Sequence, residues 1–305
     1  MASLSPLALL LALGLAYHGH RKKSLSPSGS VTAFVVGYLM LSSTIWAFGV
    51  SLIAFYLIGS RATKCKQSVA RRLESAYHEY GYRTGWQVIS NSFSALVACV
   101  LWNAIYAPDS LPGWILGSLL RSPDFPPTLS RPLLLLALGH FACCLGDTLA
   151  SELGILAKGK PRLLLSRLSF LTPVPPGTNG ALSFPGTAAS LAGGAIMGLV
   201  MGLVLILENG VCRRDAFGVV VELITIGGLC GFGGSLIDSI LGATLQETRY
   251  DADRKVVISD GEGQAEVSRR TVISLGCKLT LITANLCHPP ARAPTFVQQP
   301  GECGQ

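Results

Sequence analysis

Residues 187 to 207 run for twenty-one positions without an ionisable side chain, and stretches of the same kind recur along the chain. A hydrocarbon layer about 30 Å thick is crossed by about 20 mostly apolar helical residues, so these runs constrain the fold more than any other feature. Six or seven qualify: 2 to 17, 29 to 58, 87 to 106, 132 to 149, 187 to 207, 217 to 242, and a weak one at 271 to 287 that Lys278 interrupts. The run from 29 to 58 would make a helix about 45 Å long, too long for a simple crossing. It is either a hairpin of two short spans or one strongly tilted span. Only 13% of the 305 residues are charged and 50% are hydrophobic, against about 25% charge in soluble domains. This balance excludes a water-soluble enzyme and intrinsic disorder. The expected fold class is all-α, a polytopic integral membrane bundle of about six to seven spans. Residues 1–270 form a single membrane domain and 271–305 a divergent C-terminal tail. The first run has no basic segment before it and a basic one after it, which favours an uncleaved span over a signal peptide.

The formal charge of +7 sits in short loops between the apolar runs. Membrane orientation explains this distribution, and a nucleic-acid partner is not expected. With a hairpin at 29 to 58, the loops 18 to 28, 59 to 86, 157 to 186 and 246 to 270 share one side and hold eighteen of the 24 Lys and Arg. The positive-inside rule assigns that side to the cytoplasm. Residues 59 to 86 read as an amphipathic helix along the headgroups, with Val69, Leu73 and Tyr80 opposite Lys66, Arg71, Arg72 and Glu79, or as a solvated basic connector. The nine cysteines include no C-x-x-C pair, so they read as small buried hydrophobes.

An ionisable group inside a span costs roughly 2–3 kcal/mol even on the lenient insertion scale. Asp147, Glu152, Glu222 and Asp238 therefore each need a reason. Asp147 and Glu152 belong to Gly146-Asp147-Thr148-Leu149-Ala150-Ser151-Glu152-Leu153-Gly154. On a continuous helix the two carboxylates stand about 140° apart, so they reach one ligand only if the helix ends or unwinds there. Carboxylates with hydroxyls at a membrane surface suit Mg²⁺, a hard cation that bridges to phosphate. Pro175-Pro176-Gly177-Thr178-Asn179-Gly180 offers backbone N–H groups that can approach a phosphate closely, and Lys158, Lys160, Arg162 and Arg167 precede it. Ser235, Asp238, Ser239, Gly242 and Gln246 fall on one helical face as a polar seam. Small-residue spacing explains the glycines by close helix packing but does not explain Asp238. His140 reads as a packed histidine, and Glu222 either pairs across helices or faces a cavity.

At these motifs the chain resembles the transmembrane protein 19 family, the eukaryotic branch of the membrane family called domain of unknown function 92. The likeness is carried in order by Lys22-Lys23-Ser24-Leu25, Arg71-Arg72-Leu73-Glu74, Gly146 to Gly154, Pro175 to Gly180, and Gly234 to Gln246. The plant branch includes a phytyl-phosphate kinase. The resemblance implies a CTP-dependent prenyl- or polyprenyl-phosphate kinase with Mg²⁺ as cofactor, CTP as donor and a prenyl phosphate drawn from the membrane lipid as acceptor. On that reading Asp147, Glu152 and Asp238 are catalytic and hold the metal. Gly177, Thr178, Asn179, Gly180, Ser235, Ser239 and Gln246 hold nucleotide phosphates, and Lys158, Lys160 and Arg162 supply positive charge. The endoplasmic reticulum is the expected membrane. One departure stands out: the family's L-D-N-N-x-V-N stretch is absent, and Val267-Ser268-Arg269-Arg270 leads into an unrelated tail. A lipid or small-molecule transporter or scramblase, or a nonenzymatic descendant with a degenerate site, stays open as an alternative.

Overall fold

The computed structural model describes residues 5–73, 83–117, 127–154, 159–165, 170–175, 178–246, 248–251, 256–258 and 272–275. Serine and proline start three of its helices. Helix α1 (Pro6–Arg21) is capped by Ser5, whose hydroxyl accepts the Ala8 N–H at 3.3 Å, and α2 (Pro27–Leu41) by Ser26, which accepts the Gly29 N–H at 3.0 Å. Proline tolerates the first turn because its missing N–H would be unpaired there anyway. Helix α1 turns Ala8, Ala12, Ala16 and Gly19 inward along one stripe toward α2 and leaves Leu7, Leu9, Leu10, Leu11 and Leu13 exposed.

The apolar run from 29 to 58 is a hairpin, broken between α2 and α3 (Trp46–Leu73). The break is held from a distance by Asn103 on α5 (Phe93–Tyr106), which is fully buried. Its side-chain carbonyl accepts the Thr44 N–H at 3.2 Å and the Ser110 hydroxyl at 3.0 Å. Its amide nitrogen donates to Ser43 Oγ and to the Cys99 carbonyl, both at 2.8 Å. The turn thus gains the hydrogen bonds that lipid cannot supply. Helix α2, with 15 residues, is about 22 Å long and falls short of the hydrocarbon thickness. Helix α3 continues past its apolar segment to Leu73, so the first part of the 59 to 86 segment is helical; residues 74–82 lie outside the described residues.

Short helices α4 (Gly85–Ser90) and α6 (Leu111–Gly117) flank α5, and a capping box of Thr84 and Gln87 starts α4. The centre of the bundle is α7 (Ser130–Gly154), α8 (Phe184–Glu208) and α10 (Ala216–Leu245), with α9 (Gly210–Arg214) linking the last two. These three, with Trp46–Lys64 of α3, are long and apolar enough to cross a membrane. Helix α8 runs against the other two, and their backbones touch. A Cβ built on Gly146 would lie 2.8 Å from the Gly231 Cα, and one on Gly231 would lie 2.5 Å from the Ser190 carbonyl and 2.8 Å from the Gly194 Cα. The ends of α7 and α10 and the start of α8 converge on one side, the side that also carries the α1–α2 turn and Arg83. At the other end Glu222 of α10 forms an ion pair with Arg131 of α7, which answers why that carboxylate is tolerated. His140 packs its ring 5.8 Å from that of Phe141.

Among the described residues, two small antiparallel sheets sit outside the bundle. The first, in the order β2-β1-β3, joins β1 (Arg162–Leu165), β2 (Phe170–Pro173) and β3 (Ala181–Leu182). The second joins β4 (Thr248–Asp251), β5 (Val256–Ile258) and β6 (Val272–Leu275) in the order β5-β4-β6. Strand β6 takes up the start of the weak span expected at 271 to 287, whose residues 276–287 lie outside the described residues. Val272-Ile273-Ser274-Leu275 pairs with the loop strand β4 instead of starting a helix, and β-branched residues favour that pairing.

Gly231→Ala forces backbone apart, whereas a Cβ on Gly233 meets nothing within 4 Å. Thermal unfolding in detergent is expected to show Gly231→Ala destabilised by about 3 kcal/mol. Gly233→Ala should be neutral or stabilised by up to about 1 kcal/mol through helix propensity.

Candidate functional site

A cavity of about 240 Å³ lies where the three central helices converge. Helix α7 contributes Asp147 and Ser151, one turn apart; α10 contributes Ser235, Asp238 and Ser239, also spaced by one turn. The start of α8 contributes Thr187, and the segment Thr178 to Ser183 closes the cavity. The polar seam expected on α10 therefore faces this space over its first half. Gly242, one turn on, supplies room: a Cβ there would lie 3.0 Å from the Gly180 nitrogen. Gly180 itself has φ +75° and leans on the α10 backbone, so only glycine fits both the turn and the approach.

The closing segment is pinned at both ends. The Thr178 hydroxyl donates to the Pro175 carbonyl at 2.8 Å, so its proton is used within the turn and only its oxygen lone pairs remain for a ligand. Ser183 donates to the Gly154 carbonyl at 3.3 Å and accepts the Gly186 N–H at 3.2 Å, joining the end of α7 to the start of α8. The positive end of the α8 dipole consequently faces a space lined by two carboxylates.

Among the described residues, neither Asp147 nor Asp238 has a hydrogen-bond or ion-pair partner, and they are close enough for their like charges to interact. The other intramembrane acids are answered by protein: Glu222 by Arg131, and Glu208 by the Trp46 N–H at 2.7 Å. Two unpaired carboxylates with hydroxyls around them fit a divalent cation that keeps some of its water and bridges to phosphate oxygens.

Glu152 is separated from this pair. Helix α7 stays helical through Gly154, so the angle of about 140° is kept and Glu152 turns to α3. There it accepts the Thr63 hydroxyl at 3.3 Å and lies in the field of Arg83. The expectation that Asp147, Glu152 and Asp238 gather around one ion is corrected accordingly, and no group of three or more acidic, His or Cys side chains suited to a metal occurs among the described residues. Lys160 and Arg162 are exposed and do not line the cavity; Gln246 caps the end of α10 beyond it. Asn179 and Gly180 do line it. Lys158, Arg167 and Gly177 lie outside the described residues. The sequence reading missed Thr187, although Ser183 followed by Pro185 announces a helix start. It also missed Arg83, which carried no signal beyond lying before the Thr84 cap.

The chain matches the sequence profile of the family described as integral membrane protein DUF92 over residues 10–283. It belongs to the DUF92 family. Protein PGR of Arabidopsis thaliana is 34% identical to it over 257 residues, covering 82% of each chain. An uncharacterized membrane protein of Synechocystis sp. is 29% identical over 231 residues, 74% of this chain and 73% of that one. Protein VTE6, chloroplastic, of Arabidopsis thaliana is 30% identical over 191 residues, 62% of this chain and 51% of that one. No solved structure matches. Every cavity residue falls inside the DUF92 region.

Two differently placed carboxylates give separable outcomes. Binding of Mn²⁺ followed by electron paramagnetic resonance is expected to weaken at least about tenfold in Asp147→Asn and in Asp238→Asn. Glu152→Gln should stay within about twofold of the parent chain, because its carboxylate faces α3.

Proposed function

We propose that this DUF92 protein transfers the terminal phosphoryl group of CTP to a prenyl or polyprenyl monophosphate, in the endoplasmic reticulum membrane and from its cytoplasmic face. One observation carries the reading: Asp147 and Asp238, from separate helices and without protein partners among the described residues, face the positive end of α8 in one cavity. Carboxylates would repel a nucleotide by themselves. Together with a bound Mg²⁺ ion they become a phosphate site. Asp147 and Asp238 would hold that ion, which when bound supplies charge neutralisation for the phosphates.

The acceptor is itself a phosphate monoester, whose second ionisation lies near pH 6. Its attacking oxygen is already anionic at neutral pH, so no general base is required. This accords with a cavity whose described lining contains no histidine. In the transfer, the bond from the γ-phosphorus to the bridging oxygen breaks and CDP leaves with the electron pair. A new P–O bond to the lipid phosphate forms, giving a lipid diphosphate. The protein's part is to position the two phosphates and hold their charge: Asn179 and Gly180 from the turn, Ser235 and Ser239 from α10 and Thr187 from α8 offer polar contacts around the two acids. Ile237 and Leu241, exposed beside Asp238, offer an apolar flank for the isoprenoid tail.

Membranes containing the protein are expected to transfer label from γ-labelled CTP to geranylgeranyl monophosphate in the presence of Mg²⁺. Asp147→Asn should lower that rate by about a hundredfold or more. Unchanged transfer in that variant would remove Asp147 from the site, and absence of transfer from the parent chain to any prenyl monophosphate would remove the kinase reading.

A further inference from the structure

A second cavity lies on the other side of α7, among α1, α2, α3 and the segment around Arg83. It is about 80 Å³ and almost wholly apolar, with walls that include Ala16, Val36, Gly37 and Phe55. Its polar residues are Tyr56, Arg83, Asn91 and Ser92. The Arg83 backbone is fixed: its N–H donates to the Ser24 carbonyl at 3.1 Å and its carbonyl accepts the Ser26 N–H at 3.1 Å. Its side chain runs along α3 to Gly59, where a built Cβ would lie 3.4 Å from Nη2. The guanidinium makes no hydrogen bond among the described residues, although it carries five N–H donors. Burial draws its pKa below the ordinary arginine value, while Tyr56 and Glu152 oppose the shift. Glu152 is within electrostatic range but accepts its hydrogen bond from Thr63.

A largely buried cation that borders an apolar cavity, with no hydrogen bond from its guanidinium among the described residues, suits an acceptor that reaches it through an apolar environment. The strand of chain paired to Arg83 carries the exposed Lys22 and Lys23 immediately before Ser24, and Lys23 is fixed at φ 54°. Positive charge therefore rims an apolar hole at the membrane face that also bears the Asp147 cavity. We propose that this is a binding site for an acidic glycerophospholipid of the surrounding leaflet, with its phosphate on Arg83 and the first methylenes of one acyl chain in the cavity. The small volume admits the start of a chain and not a headgroup. The occupant is distinct from the substrate of the transfer reaction, because Arg83 meets the Thr148 and Glu152 face of α7 and Asp147 points to the other. Basic pockets between membrane helices recognise acidic headgroups by the same means.

Native mass spectrometry of the full chain in detergent, offered equal amounts of phosphatidylglycerol and phosphatidylcholine, tests the site. One phosphatidylglycerol per chain is expected to be retained in preference to phosphatidylcholine. Arg83→Gln should weaken that retention at least about tenfold, since a charge-assisted hydrogen bond is lost, while Arg83→Lys should keep the preference. The exposed pair Lys22→Gln and Lys23→Gln, which leaves the interior untouched, should weaken it about fivefold per charge removed. Equal retention of the two lipids, or unchanged affinity in Arg83→Gln or in the lysine variants, would overturn the proposal. Displacement of phosphatidylglycerol by stoichiometric geranylgeranyl monophosphate would overturn the choice of occupant.

Discussion

Backbone contact among three glycine-lined helices is the constraint on which the rest of this structure depends. In a bilayer no hydrophobic force drives apolar helices together, so close van der Waals approach of small residues has to do it. Gly146, Gly194 and Gly231 meet where α7, α8 and α10 are nearest. Each is a neighbour or one turn from a polar residue at that level: Asp147 follows Gly146, Ser190 precedes Gly194 by four, and Ser235 follows Gly231 by four. The crossing that brings the backbones together therefore aims Asp147 and Ser235 into the space just beyond it, while Ser190 stays buried and donates to the Thr187 carbonyl at 2.8 Å. A side chain at the crossing would widen the cavity and separate its two carboxylates.

The long apolar runs made the spans legible because lipid demands length and composition, both of which are written locally. The motifs around Asp147 and Asp238 were legible for a related reason: an acid among apolar residues contradicts its surroundings. The polar seam from Ser235 to Ser239 followed from helical spacing alone. What was not legible depended on partners distant in the chain. The break at residues 42–45 is satisfied by Asn103, about sixty positions away, so the apolar run alone left a hairpin and a single tilted span equally open. Strand β6 is fixed by pairing with β4, a partner that the β-branched Val272 and Ile273 favour but do not by themselves identify. Glu152 was misplaced because the glycines at 146 and 154 permitted unwinding that α7 does not undergo. Gly146 serves contact with α10, not flexibility.

That persistence of helix gives the end of α7 two faces with different chemistry. Asp147 and Ser151 look toward α8 and α10; Thr148 and Glu152 look toward α3 and Arg83. The first face is acidic and open to a cavity, and the second is balanced by a nearby cation. A single helical turn thus separates a site that demands positive charge from a contact that already has it.

The treatment of the intramembrane acids sharpens this contrast. Glu222 and Glu208, at the end of the bundle away from the cavity, are each matched by a group of the protein. Had Asp147 and Asp238 served only to stabilise helix ends, equivalent partners would be expected on the neighbouring helices, yet among the described residues the cavity lining there offers only glycine, alanine, serine and Thr187. Two like charges facing one another in a space of this size oppose the folded state unless something of opposite sign enters it. Stability and function are linked at this point: the bundle tolerates the acids because glycine contacts elsewhere hold the helices, and the uncompensated charge then becomes the means by which the cavity selects a cation and, through it, a phosphate.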